Sequence, residues 1–241
     1  MPNITLNTCM ILAAGRGVRM RDLTAHKPKP LIQIHQKPLI GHLMDKIQRF
    51  GMQKIVVNTC YKGEMIKAYL KSFPQSILFS DETVALETGG GVKKALPLLM
   101  PEGENGFFVC NADPLWDEPT LPLLNALQNA WNPDEMDILL ALIPKKQAFG
   151  HIEKGNYFIE NNQLRRILPE ENDAPYLFTG IQVMHPRIFE NTPDGAFSSR
   201  DLFDIAQKNK RLGFILFDGR WFHVGTPEAI LETEKMYDIH R

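Results

Sequence analysis

Cysteine is scarce in this sequence: Cys9, Cys60 and Cys110 are the only three in 241 residues. None has CxxC spacing and each lies in or beside an apolar strand-like run. This pattern speaks against a cysteine-built metal site or a disulfide framework and predicts buried, reduced thiols. An excess of one charge is missing too. Twenty-seven Lys and Arg stand against 28 Asp and Glu, a net charge of −1, so no global basic field points to nucleic acid or an anionic membrane surface. No apolar run approaches the roughly 20 residues that span a bilayer. The opening stretch MPNITLNTC also lacks a basic segment followed by a long apolar one, so no targeting segment is expected. Repeats and low-complexity segments are absent as well. So is GxxxxGK[ST], and Met20 stands where a GxGxxG fingerprint needs its third glycine, which removes the dinucleotide and P-loop readings.

What is present is a folding composition and one dense local motif. With 44% hydrophobic and 23% charged residues, the chain can bury a substantial core as one domain or as one domain with a small subdomain. The motif is CMILAAGRGVRMRDLTAHKPKPL, Cys9 to Leu31. Cys9 to Leu12 form an apolar run. Gly15 and Gly17 permit tight turning and close backbone approach, where exposed N–H groups can face phosphate oxygens. Arg16, Arg19, Arg21, Lys27 and Lys29 then supply positive charge. Pro28 and Pro30 fix their own φ and push the residues before them toward extended conformations, so Lys29 is expected on a stiff segment rather than in a helix. A polyanion such as a triphosphate suits this arrangement, although a solvated surface cation is the ordinary reading of any single Arg or Lys.

Along the chain, helical and strand patterns alternate. Leu39, Ile40, Leu43, Met44, Ile47 and Phe50 recur at helical spacing with Gly51 as a stop, and Ile55 to Val57 follow as a strand. A second helix carries Met65 to Phe73, a strand Ile77 to Phe79, and a third helix Val92 to Leu99. A buried strand at Phe107 to Cys110, a helix at Leu121 to Ala130 and a strand at Ile138 to Ile143 complete this part. The alternation predicts an α/β fold: a Rossmann-like, mostly parallel sheet with helices on both faces. After Gly150 the texture changes. Tyr157 to Glu160, the Asn161-Asn162 turn, Leu164 to Leu168 and Tyr176 to His185 read as an antiparallel insertion. A helix near Ser199 to Lys210, a strand near Phe214 to Phe217 and a helix from Pro227 to Tyr237 close the chain. A soft boundary near Pro144 divides the single domain of 1–241 into 1–143 and 144–241.

Three further segments carry chemistry. Asp113, in FFVCNADPLW, directly follows a buried strand, and an acid at the carboxyl end of such a strand faces the ligand crevice of an open α/β sheet. A hard cation prefers such an oxygen ligand, while ordinary turn chemistry before Pro114 is the alternative. Glu87-Thr88-Gly89-Gly90-Gly91 opens a helical pattern, and its glycines let a flat base approach the backbone or serve an ordinary tight turn. In Trp221-Phe222-His223-Val224-Gly225-Thr226-Pro227-Glu228, Thr226-Pro227 reads as an N-cap followed by proline in the first helical turn, and His223 beside aromatics is ordinarily a hydrogen-bonded packing residue.

LAAGRGVRM followed by KPKPL closely resembles the signature of sugar-1-phosphate nucleotidyltransferases, and ETGGG, NAD and WFHVGTPE fall in that family's order. The resemblance covers nearly the whole chain. It is nearest in flavour to the short bacterial enzymes acting on N-acetylmuramate-1-phosphate or mannose-1-phosphate. The chain shows no left-handed β-helix, so no acetyltransferase activity is implied. The resemblance implies that a sugar 1-phosphate attacks the α-phosphorus of an NTP, most readily UTP with N-acetylmuramate-1-phosphate, releasing pyrophosphate in the cytoplasm. Guanylyl transfer to mannose-1-phosphate and a catalytically weak nucleotide-sugar binding protein stay open as alternatives. No oligomeric state follows.

By the same resemblance, Leu12, Ala13, Ala14, Gly15, Gly17, Val18, Arg19 and Lys29 hold the nucleotide. Arg19 stabilises the leaving pyrophosphate and Lys29 bridges phosphates. Glu87, Gly89 and Gly90 meet the base. Asn111, Gly150, Thr179 and Gly180 line the sugar site. Asp113 binds Mg²⁺, with Mn²⁺ as the alternative, and His223 stands where relatives carry a second, acidic ligand. An imidazole suits Zn²⁺ or Mn²⁺ better than Mg²⁺. The family's Glu-Lys-Pro, whose lysine grips the sugar phosphate, is missing, and Arg165 or Arg166 is the candidate substitute.

Overall fold

The computed structural model describes residues 5–100, 105–118, 121–150, 152 and 154–237. Strand β1 (Thr8–Leu12) is the buried apolar run of the motif, and a 3₁₀ helix at Val18–Thr24 and a 3₁₀ turn at Lys29–Leu31 follow it. Lys29 therefore opens a helical turn rather than lying on an extended segment. Pro28 is extended (φ −71°, ψ 151°), and Pro30 is tolerated inside the turn because its missing N–H would be unpaired at a first turn anyway. A short hairpin, β2 (Gln33–Ile34) and β3 (Lys37–Pro38), leads into α1 (Leu39–Phe50). That helix ends at Gly51 with φ 85°, the left-handed cap its sequence predicts.

The alternation continues through β4 (Lys54–Thr59), α2 (Gly63–Leu70), β5 (Ser76–Asp81), α3 (Glu87–Leu99) and β6 (Phe107–Asn111). Next come β7 (Pro114–Trp116), α4 (Leu123–Ala130), β8 (Ile138–Pro144) and β9 (Ala148–Gly150). The hairpin β10 (Tyr157–Glu160) and β11 (Gln163–Arg166) turns at Asn161 and Asn162, both at positive φ. The chain closes with β12 (Tyr176–Met184), α5 (Ser199–Lys208), β13 (Leu212–Leu216), β14 (Trp221–His223) and α6 (Pro227–Met236). Thr226 caps α6, accepting from the Ala229 N–H at 3.4 Å.

One nine-stranded sheet organises these elements, in the order β11-β10-β12-β6-β1-β4-β5, with β8 pairing β12 and β13. Strands β6, β1, β4 and β5 run parallel. The antiparallel region is continuous with that same sheet, because β12 pairs β6 on one side and β8 on the other. Its register shifts between Phe178 and Gln182, a bulge across Thr179 and Gly180. The sheet separates two apolar clusters. One packs β1, β4, β6 and β8 against α1, α2 and α4, and the other packs the opposite face against α3 and α5. Each fully buried large side chain there, such as Ile11 or Phe108, contributes about 1.5–3 kcal/mol of transfer free energy. A small sheet, β7-β14-β9, stands beside the carboxyl end of β6 and sets His223 opposite Pro114 and beside Gly150. Cys9 and Cys110 are free and buried with their sulfurs 3.7 Å apart, while Cys60 is half-buried.

Candidate active site

The carboxyl ends of β1, β4 and β6 open onto a cleft of about 740 Å³. Leu12, Ala13, Ala14, Gly15, Gly17, Val18 and Arg19 form one wall of it, and Lys29, Asn111 and Asp113 form its floor. Gly17 is needed for its conformation and its size. It sits at φ 66°, and a Cβ there would lie 2.7 Å from the Cβ of Lys29. The tight turn thus lets the loop and the lysine share one place.

Lys29 is only 8% exposed and forms an ion pair with the Asp113 carboxylate, whose side chain remains 30% exposed. Burial works to raise the Asp113 pKa, but the ammonium of Lys29 beside it, hydrogen-bonded to it, prevails with help from His223 and holds the carboxyl below its usual range. His223 lies at the edge of the cleft: a Cβ on Gly225, which lines it, would come 2.9 Å from the His223 Cδ2. No group of three or more metal-binding side chains exists among the described residues. One carboxylate on the floor of this cleft nevertheless fits Mg²⁺, which takes one or two carboxylates and fills its remaining positions with water and substrate phosphates. An imidazole is the less suited donor.

Two buried polar residues not singled out by the motifs hold the loop in place. Asn58 accepts from the Ala13 N–H at 2.8 Å and donates to Glu82 at 2.7 Å; the second Glu82 oxygen accepts from the Leu86 N–H at 2.9 Å. Asn58 ends the apolar part of β4, so the rule that singled out Asp113, a polar residue at a strand's carboxyl end, was available for it. Glu87 and Thr88 line the cleft beside this network.

Several expected residues lie elsewhere. Gly89 and Gly90 do not line the cleft; both are buried, and their N–H groups donate to the Phe197 carbonyl at 2.9 and 3.1 Å. A Cβ on Gly90 would collide with the carbonyl oxygen of Gly195, so these glycines admit a neighbouring backbone rather than a base. Thr179 is fully buried in the bulge of β12, its hydroxyl donating to the Ala141 carbonyl at 2.9 Å and its backbone carbonyl accepting from the Trp221 indole at 2.9 Å. Gly180 packs on Asn111, where a Cβ would meet the amide nitrogen at 2.8 Å. Gly150 abuts the His223 backbone in the small sheet. Thr179, Gly180 and Gly150 therefore shape the cleft from behind.

In the half of the cleft formed by the later part of the chain, only Arg166 and the segment around Thr179 and Gly180 were singled out from the sequence. Asn156, Tyr157, Arg166, Phe178 and Gln182 line it from β10, β11, β12 and the loop before β10, and Ser198, Ser199, Arg200 and Phe203 line it from α5 and its cap. Of the two candidate arginines, Arg165 faces away, bridging Glu160 and Glu171 and lying over the Phe158 ring, whereas Arg166 reaches the cleft and pairs with Asp204.

Known proteins fit this arrangement. The family model described as nucleotidyl transferase matches residues 8–238. N-acetylmuramate alpha-1-phosphate uridylyltransferase from Caulobacter vibrioides is 37% identical over 93% of this chain and 94% of its own length. The protein of that name from Neisseria meningitidis is 32% identical over 94% and 96%. The mannose-1-phosphate guanylyltransferase catalytic subunit beta of Dictyostelium discoideum is 27% identical, and the match spans 95% of this chain but 64% of that protein. In fold, the chain resembles a UDP-glucose pyrophosphorylase from Acinetobacter baumanii, with a TM-score of 0.79 over 98% of this chain and 95% of that one at 16% identity. With the family model covering nearly the whole length and close relatives matching end to end, the chain belongs to the nucleotidyl transferase family.

Proposed function

We propose that the protein transfers a uridylyl group from UTP to the phosphate of N-acetylmuramate-1-phosphate, forming UDP-N-acetylmuramate and pyrophosphate. The observation that carries this reading is the meeting of the glycine-rich loop, Lys29 and Asp113 in one cleft, in a chain 37% identical to a uridylyltransferase of that specificity. A phosphate oxygen of the sugar 1-phosphate attacks the α-phosphorus of UTP. The bond from that phosphorus to the bridging oxygen of the β-phosphate breaks, and its electron pair leaves with pyrophosphate. The protein's work is positioning and charge compensation. Backbone N–H groups from Ala14 to Gly17 face the triphosphate, Arg19 offsets charge on the departing pyrophosphate, and Lys29 bridges phosphates as charge shifts.

Asp113 and the phosphates would hold a divalent cation, Mg²⁺ or Mn²⁺, whose chemistry when bound is neutralisation of the triphosphate charge. Lys29 then turns from the carboxylate to the phosphate oxygens, an exchange of one anionic partner for another within the same floor. His223 beside Asp113 favours Mn²⁺ over what an aspartate would allow. Residues 1–143 serve the nucleotide, and 144–241 the sugar phosphate. Dependence on UTP places the reaction in the cytoplasm.

The test is pyrophosphate release from UTP and GTP, each with N-acetylmuramate-1-phosphate and mannose-1-phosphate, in Mg²⁺ and in Mn²⁺. UTP with N-acetylmuramate-1-phosphate is expected to be the strongest pair. Faster release from GTP with mannose-1-phosphate would replace this reading by guanylyl transfer, and silence of all pairs with UTP bound would leave a nucleotide-binding protein.

A further inference from the structure

The second half of the cleft holds polar groups that the fold leaves unmatched. Gln182, 2% exposed on β12, lines the cleft, and its side-chain oxygen has no hydrogen-bond partner among the described residues. Its amide nitrogen reaches only the Met184 sulfur, at 3.9 Å, a weak acceptor. Buried amides are rarely left so, and one that borders a cleft points to a ligand group that completes it. Tyr157, also almost wholly buried and lining the same half, has no hydrogen-bond partner for its hydroxyl among the described residues.

Charge around that hydroxyl is also unbalanced. Burial raises the Tyr157 pKa, with Arg166 and Arg200 acting against it and Asp204 with it, and Tyr157, Arg166 and Arg200 line the same half of the cleft. Arg166 is engaged by Asp204. The Arg200 guanidinium has no ion-pair or hydrogen-bond partner among the described residues, although Asp204 lies one helical turn away. It projects from the first turn of α5, a ten-residue helix whose cap, Ser198, and first residue, Ser199, line the cleft as well. The partial positive charge of a helix N-terminus adds to that of the arginine. Asp201, in the same first turn, answers the helix end, and Asp204 answers Arg166. The Arg200 guanidinium is then the cation of this half of the cleft that a carboxylate brought by the ligand would pair.

We propose that Arg200, with the Tyr157 hydroxyl beside it, binds the lactyl carboxylate of the sugar, and so makes this cleft select an acidic sugar 1-phosphate over its neutral counterpart. The inference deepens the uridylyl-transfer reading and rests on it. N-acetylmuramate is N-acetylglucosamine carrying a lactyl ether, so the carboxylate is the one anionic group that separates the two sugars. A guanidinium presents paired donors that match a carboxylate. Arg200 is exposed, so the preference comes from the charge-assisted pair gained with the acidic sugar and not from a donor stranded by the neutral one. Gln182 supplies the same half of the cleft with an amide for the sugar's own hydroxyl or acetamido groups.

The test compares kcat/KM for N-acetylmuramate-1-phosphate and N-acetylglucosamine-1-phosphate, both with UTP, in wild type, Arg200→Ala, Arg200→Lys and Tyr157→Phe. The wild type is expected to favour the acidic sugar. Arg200→Ala should lower that preference at least about tenfold, mainly through KM for the acidic sugar, with part of it returning in Arg200→Lys. Tyr157→Phe should lower it by a smaller factor. Arg200 is exposed and ties no other element down, so a native circular dichroism spectrum is expected for its variants. A preference unchanged in Arg200→Ala would overturn the assignment while leaving uridylyl transfer standing. Failure of the wild type to use either sugar with UTP would overturn the underlying reading first.

Discussion

Lys29 and Asp113 reach each other across 84 positions of sequence, and each sets the other's state. Lys29→Ala is expected to lower kcat/KM by about 10²–10³, the range seen when a preorganised charge-stabilising donor is removed, with the fold retained by circular dichroism. It should also change the acid limb of stability. The Asp113 carboxyl is held below its ordinary range in the folded protein, so its contribution is present above the unfolded pKa and is lost as pH falls through the folded one. The melting temperature gap between wild type and Lys29→Ala, present at pH 7, should therefore narrow in acid below the usual carboxylate range. His185 titrates differently. Burial first, and then Arg187 and Arg211, depress it from 6.5 to about 4 despite Asp137 nearby. Between those values the unfolded chain binds a proton that the folded chain refuses, so stability falls as pH drops through that window. His185→Asn keeps an acceptor for the Arg187 N–H, which His185 Nδ1 accepts at 3.1 Å, and should flatten the loss when melting is followed from pH 7 to 4.

At the scale of elements, α3 shows how a motif can be read correctly as special and still serve a different purpose. ETGGG announces that something comes close to the backbone. The sequence contains no information on whether that something is a ligand or another part of the chain, because the 195–197 segment that packs there lies about a hundred residues away and has no pattern of its own. Gly90→Ala is expected to destabilise the protein by about 1–3 kcal/mol, read from the denaturant midpoint, since the new methyl group must displace the Gly195 carbonyl. Gly91 is similarly close, with a Cβ there lying 2.7 Å from the Asn58 amide. That contact links α3 to the network holding the glycine-rich loop. Asn58→Ala strips the Ala13 N–H of its acceptor and Glu82 of a donor, so a loss of about 1–3 kcal/mol is expected together with a raised KM for UTP. The glycine-rich loop, Lys29 and Asp113 were legible because each lies within a short run whose residue types share one purpose. Tyr157, Gln182 and Arg200 were not, because three separate segments bring them together and none of those segments is unusual alone.

For the whole molecule, periodicity was sufficient to predict the strands of the large sheet and the α-helices in the right order, and their alternation to predict a largely parallel α/β sheet, but the two- and three-residue strands β2, β3, β7, β9 and β14 are too short to show a period. It could not give the pairing of β12, since a nine-residue apolar strand fits many neighbours equally well. In the structure β12 lies between β6 and β8, joining the strands of 1–143 to those of 144–241 by backbone hydrogen bonds. Chemical denaturation should then show one cooperative transition by both fluorescence and circular dichroism, and a 1–143 fragment should lack protected amides in β6 by hydrogen exchange. The same placement gives synthesis on the ribosome an order of events. Phe107 to Asn111 emerge long before Tyr176 to Met184, so the nascent chain carries an open, largely apolar strand edge for the time taken to add some seventy residues, roughly 4–14 s at ordinary elongation rates. Through that interval the β6 edge is the part of the chain a chaperone must shield.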